Sequence, residues 1–185
     1  RQGMGHLKFE WHPSSDFTLH NILLVGISRQ GGYPYESAAT HEIAYNDTCF
    51  YHRKNVLEGL TLKKRFCNFS LSSITSYQYI DDNMTLDQDF TPNYFTLTQK
   101  RREHAVTQDL VARSTTSSAY NWLGGLFAFF RHYVMDAPVT FLDTGISELI
   151  ESHRNAANPD YPITWDSRKF VLGSHFTSPT YGLAA

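Results

Sequence analysis

The chain changes its hydrophobic period inside one stretch, residues 117–142. From Ala119 to Phe130 the large apolar residues Trp122, Leu123, Leu126, Phe127, Phe129 and Phe130 recur at spacings of three and four. That period predicts a short helix buried on more than one side, with Ser117 or Ser118 as its N-cap. From Tyr133 onward Tyr133, Met135, Ala137, Val139 and Phe141 alternate with His132, Val134, Asp136, Pro138 and Thr140, a period of two that predicts a strand. Arg131 stands at the joint. Trp122, Leu126, Phe127, Phe130 and Arg131 are therefore read as the central core element of the domain. Gly124 and Gly125 would each cost roughly 1 kcal/mol inside a helix. Close approach of another backbone is the expected reason for them, and two short turns in place of one helix the alternative. Pro138 puts the strand at an edge or ends it early. The apolar run reaches eight residues before Arg131 and His132, against about 20 for a helical bilayer span, so a core element and no membrane span is expected.

The rest of the chain divides by the same criterion. Residues 1–20 read as irregular, and the first fifty as an extended N-terminal arm. Leu19 to Ser28 is an unbroken aliphatic and β-branched run, hence a buried strand, closed by a turn at Gly31, Gly32 and Pro34. Asn55 to Arg65 reads as a helical turn or two ending in Lys63, Lys64 and Arg65, which suit the negative end of a helix dipole. Phe66 to Ile80 alternates and reads as a strand. A solvated acidic loop is expected over 81–93, with Asp81, Asp82, Asp87 and Asp89, and a short strand over Tyr94 to Thr98. The basic triplet Lys100, Arg101 and Arg102 follows, then a polar connector over 106–118. Gly145 to His153 predicts a short amphipathic helix, Asn155 to Pro162 a loop, and Ile163 to Leu172 a strand. The last twelve residues are expected to be ordered only where a partner holds them.

Composition narrows the class. At 185 residues, 41% hydrophobic, the chain is long enough for one domain with its own core. Charged residues are scarce at 18% and aromatics abundant at 15%, which with many Ser and Thr predicts a single β-rich domain. The net charge of −2 excludes a dedicated nucleic-acid binder. The first residue is Arg1, read as a processed product or a fragment. Two cysteines, Cys49 and Cys67, are too few for a disulfide framework; free thiols are expected, and one bridge is the alternative.

Catalytic and metal motifs are missing. His6, His12 and His20 match no metal-ligand spacing. His41-Glu42 begins a zinc-protease pattern, but Tyr45 stands where the second His is required. The acidic stretch 81–93 lacks the central Gly and terminal Glu of a calcium loop. There is no phosphate-binding Gly-rich loop and no nucleophile elbow. No enzyme, metal or cofactor is therefore expected. Sequons at Asn46, Asn68 and Asn83, a small excess over chance, together with the two cysteines and many Tyr and Trp residues, support one alternative: a secreted or luminal β-sandwich glycoprotein binding module.

The central stretch resembles the capsid proteins of picorna-like viruses (picornaviruses, dicistroviruses, iflaviruses). In that family a short aromatic helix ending in an aromatic pair and an Arg leads into a jelly-roll strand. Here the similarity runs through Trp122-Leu123, Leu126 to Arg131 and Val134 to Leu142. A second similarity covers Asn55 to Phe66, where Leu62 is followed by basic residues and an aromatic. His132 departs from the pattern, which has Gly after the Arg. The resemblance implies a mainly β fold, an antiparallel sandwich of jelly-roll type with one or two short helices. It also implies a structural subunit of an icosahedral viral capsid enclosing an RNA genome, located in the virion. Its partners would be other capsid subunits and, through Lys63, Lys64, Arg65, Lys100, Arg101 and Arg102, genomic RNA or subunit boundaries.

Overall fold

The computed structural model describes residues 1–31, 36–44, 47–87, 94–116, 120–142, 145–164 and 170–185. The expectations at Pro34, Asn46, Asp89, Ser117 and Ser118, and over 165–169, lie outside the described residues. The chain is mainly β and antiparallel with one helix, as its composition and the resemblance imply. Its long strands are β1 (Gln2–Ser14), β2 (Phe17–Gly31), β3 (Phe50–Arg65), β4 (Phe69–Leu86), β5 (Phe95–Ser114) and β6 (Leu123–Asp136). There follow β7 (Val139–Phe141), α1 (Ile146–Ala157), β8 (Phe170–Leu172) and β9 (His175–Ala184). All strands belong to one sheet, hydrogen-bonded in the order β1-β2-β3-β4-β5-β6-β9. β7 continues beside the first residues of β5, and β8 pairs with β7. Antiparallel pairing of this kind is compatible with a jelly-roll-type sandwich. The order itself is up-and-down from β1 to β6, each strand beside its sequence neighbour.

The two ends of the sheet differ. At one end Ser14 and Phe17 are separated by two residues, Arg65 and Phe69 by three, and Ser114 and Leu123 by eight. At the other, 18 residues separate Gly31 from Phe50, eight separate Leu86 from Phe95, and 38 separate Asp136 from His175. These are the turn end and the loop end below. β1 and β9 form the two edges of the described sheet.

Several local expectations change. The stretch Leu123 to Phe130 is strand, not helix, and β6 pairs with β5 and β9. Its spacing of three and four arises because Leu126 and Phe130 face one side while Phe127 and Phe129 face the other. Two superposed period-two sets imitate a helical period. The close approach foreseen for the paired Gly residues is found at Gly125, where a Cβ would lie 3.0 Å from the Leu110 carbonyl oxygen, and not at Gly124, where an added Cβ meets nothing within 4 Å. The central residues are not a buried core, since Trp122, Leu126 and Phe130 are each about half exposed. The first fifty residues are not a free arm, because β1 and β2 lie in the sheet. Asn55 to Arg65 is strand, Asp81 and Asp82 belong to β4, and the connector over 106–114 is the second half of β5. The C-terminal residues are held by β6 as β9 rather than by an external partner. The strand after Phe66 and the amphipathic helix are found, and so is the strand over Leu19 to Ser28, but it is half-exposed instead of buried, with Val25 and Ile27 40% and 50% exposed. Cys49 and Cys67 are free thiols.

Candidate functional site

Successive side chains on a strand point to opposite sides, so the pairing register decides which residues share a face. One cross-strand row runs through seven strands as Leu7, Leu23, Glu58, Tyr77, Val106, Phe130 and Tyr181. Another runs through Trp11, Leu19, Leu62, Ser73, Leu110 and Leu126. A third joins Val25, Val56 and Tyr79. These rows make one face predominantly apolar. Glu58 interrupts it, and the Asn21 amide donates to its carboxylate at 3.2 Å. Gln108 forms a small polar patch, accepting from the Thr75 hydroxyl at 2.7 Å and donating to Ser73 at 2.9 Å.

The opposite face carries charges along its whole length and more than half of the small hydroxyls. Asp82 accepts from Arg53 Nε at 2.7 Å and from the Tyr51 hydroxyl at 3.2 Å, and pairs with Arg101 at 2.5 Å. Glu103 accepts from Arg131 Nη2 at 2.8 Å and from the Gln78 amide at 3.0 Å. The Arg131 guanidinium also lies 5.3 Å from the centre of the Tyr133 ring. On this face Phe129 covers Gly182, where an added Cβ would come within 2.4 Å of the ring.

At several positions exposure runs against polarity. Asp82 and Glu103 on the polar face are each only 7% exposed, while Leu7 and Leu126 on the apolar face are 59% exposed and Phe130 48%. Among the described residues only Ala137 and Ile146 are buried hydrophobics, and no large side chain is fully buried. A water-soluble domain hides apolar surface and wets charge. This sheet buries the carboxylates of Asp82 and Glu103 and leaves large apolar side chains exposed, most of them along the apolar rows but also Leu57, Leu123 and Phe127 on the polar face.

The basic triplets are divided by the same alternation. Lys63 and Arg65 lie on the polar face at the turn end. Lys64 lies on the apolar face and donates to Asp16 in the β1–β2 turn. Asp16 also accepts from the Ser14 hydroxyl at 2.5 Å. The hydrogen bond from Lys64, reinforced by Ser14, holds the Asp16 carboxyl well below its ordinary value, from 3.8 to about 2. Arg101 joins Asp82 on the polar face, whereas Lys100 and Arg102 stand exposed on the apolar face at the loop end. Arg131 is brought to Glu103 and away from Trp122, Leu126 and Phe130. Reading the sequence alone missed Glu103, Arg29 and Lys54 and placed Asp82 in a solvated loop; a period-two count assigns each to a side of its strand, and the pairing register then brings them together.

No group of three or more His, Cys, Asp or Glu side chains suited to a metal occurs among the described residues. His41 is exposed and paired with Glu36. No described helix is long and apolar enough to cross a membrane. No family model, no curated protein and no solved structure matches this chain.

Proposed function

We propose that this chain forms part of the wall of a transmembrane β-barrel, with its apolar face against lipid and its polar face lining the barrel interior. The observation that carries the reading is the exposure of aliphatic and aromatic rows along one face, with the carboxylates of Asp82 and Glu103 buried and paired to arginines on the other. Lipid-spanning barrels alternate apolar outside with polar inside, and join their strands by short turns at one end and long loops at the other. The alternation is present here, and the turn-end connections, of two, three and eight residues, are on the whole shorter than the loop-end ones, of 18, eight and 38.

The dimensions agree. On β3 the apolar face is bounded by Lys54 and Lys64, ten residues apart, or about 33 Å at about 3.3 Å per residue. Tilted by about 40°, as barrel strands are, this spans about 25 Å, the height of the apolar band of such barrels. Trp11 near the turn end and Tyr79 near the loop end stand at the band's margins, where amphipathic aromatics favour the interface. The open edges of β1 and β9 set a further requirement. Unpaired backbone groups are too costly in hydrocarbon, so in a bilayer both edges must be paired by further strands of the polypeptide or by other copies.

The capsid-subunit reading would cover the same apolar face with neighbouring subunits and needs no lipid. Refolding the chain with and without phosphatidylcholine vesicles separates the two. The barrel reading expects β-structure that floats with the vesicles and resists extraction by alkaline carbonate. A folded monomer or regular soluble particles formed equally well without lipid would overturn it.

A further inference from the structure

Most of the charge on the apolar face is gathered on two adjacent cross-strand rows at the loop end, with Glu58 and Lys64 lying outside them. One row holds Lys54, Asp81 and Arg102, each opposite the next. The neighbouring row runs through Arg29, His52, Asn83, Lys100, Asp136 and His175. Arg29, Lys54, Lys100 and Arg102 are all exposed. No described carboxylate comes within ion-pair distance of any of the four, although Lys54 and Arg102 flank Asp81. On the polar face, by contrast, Arg53, Arg101 and Arg131 are all paired to carboxylates. Shallow open grooves run between the exposed cations, floored by Ser28, Asn83 and Val134. The four cations outnumber the two carboxylates of these rows and begin where the aliphatic surface ends.

We infer that this rim is a docking surface for the phosphate groups of membrane lipid headgroups, in the leaflet on the loop side. The inference rests on the barrel-wall reading, and it adds the leaflet and the headgroup chemistry. Acyl chains laid along Val25, Val56 and Tyr79 would end level with Lys54 and Arg102, so one lipid could satisfy both the apolar band and the rim. Arg and Lys offer donors and charge to phosphate, and a cation at an anionic membrane surface is worth about five-fold in association. Free inorganic phosphate lacks the chains and would gain only from the rim.

The test compares wild type with the variant Arg29→Gln/Lys54→Gln/Lys100→Gln/Arg102→Gln, both in phosphatidylcholine vesicles. Trace spin-labelled phosphatidic acid or spin-labelled phosphatidylcholine reports the lipid bound at the protein surface. Wild type should enrich phosphatidic acid over phosphatidylcholine by about five-fold or more at low salt, falling as salt screens the rim. The variant should bring the ratio near one while inserting as wild type does. Lys63→Gln/Arg65→Gln, on the polar face at the turn end, should leave the enrichment intact, and millimolar inorganic phosphate should not abolish it. Equal binding of both lipids by wild type, or enrichment unchanged in the quadruple variant, would overturn the headgroup site and leave insertion standing. Loss of enrichment to inorganic phosphate would also overturn it, in favour of a free-anion site. Failure of wild type to enter the vesicles at all would instead remove the barrel reading.

Discussion

At the scale of the residue, charges in this chain are sorted by partner as well as by position. Asp82 is the clearest case: nearly buried, it holds Arg53, Arg101 and Tyr51 at once. Removing the carboxylate leaves two guanidiniums facing each other across the strands. Asp82→Ala is expected to lower stability in detergent or lipid by about 2 kcal/mol or more, read from the denaturant midpoint, with Asp82→Asn losing less. Asp16 is a different kind of pair, solvent-exposed in a turn, and its effect is seen in titration. Its pKa is depressed by Lys64 and Ser14, so its contribution to stability is complete above about pH 4 and is lost as pH falls through about 2. Carboxyl NMR should record a midpoint near 2, and Lys64→Gln should move that midpoint up toward the ordinary 3.8. An unchanged midpoint in the variant would mean that Lys64 is not the cause.

At the scale of the element, each strand presents two surfaces with different tolerances. A charge placed in the middle of the apolar band has no water to reach, and a cation there costs about 2–4 kcal/mol at the midplane of a bilayer. Phe130→Arg should therefore destabilise the lipid-embedded protein by that amount, whereas Thr107→Arg, on the opposite face of neighbouring β5, should cost well under half as much. Equal costs at the two positions would contradict the assignment of faces. The alternation behind this contrast was partly legible in the sequence. Leu19 to Ser28 and Phe66 to Ile80 announce strands by their β-branched and alternating composition. Leu123 to Phe130 misleads because large apolar residues occupy both faces of β6, and only the partner strands reveal that Leu126 and Phe127 point apart. Lys63 to Arg65 and Lys100 to Arg102 read as clusters for a related reason. Adjacent residues in a strand are on opposite sides, so a run of three basic residues is split two and one. The rim of Arg29, Lys54, Lys100 and Arg102 is assembled from three strands and depends on register, which no local pattern specifies.

At the scale of the whole molecule, the described sheet is an up-and-down ribbon from β1 to β6 with mostly shorter connections at one end than at the other, and one predominantly apolar face whose height matches that of a bilayer's apolar band. The sequence alone suggests a mainly β fold, and that holds. The expected buried core does not form, because the apolar residues are spread over an exposed face instead of being gathered between layers. The most direct measurement of the lipid-facing arrangement is a nitroxide scan of β6, one label at a time from Leu126 to Arg131, in protein refolded into phosphatidylcholine vesicles. Collision with oxygen, which concentrates in hydrocarbon, and with a water-soluble nickel chelate should alternate with a period of two. Labels at positions 126, 128 and 130 should favour oxygen, and labels at positions 127, 129 and 131 should favour nickel. Absence of alternation, or alternation in the opposite phase, would contradict the placement of this face against lipid.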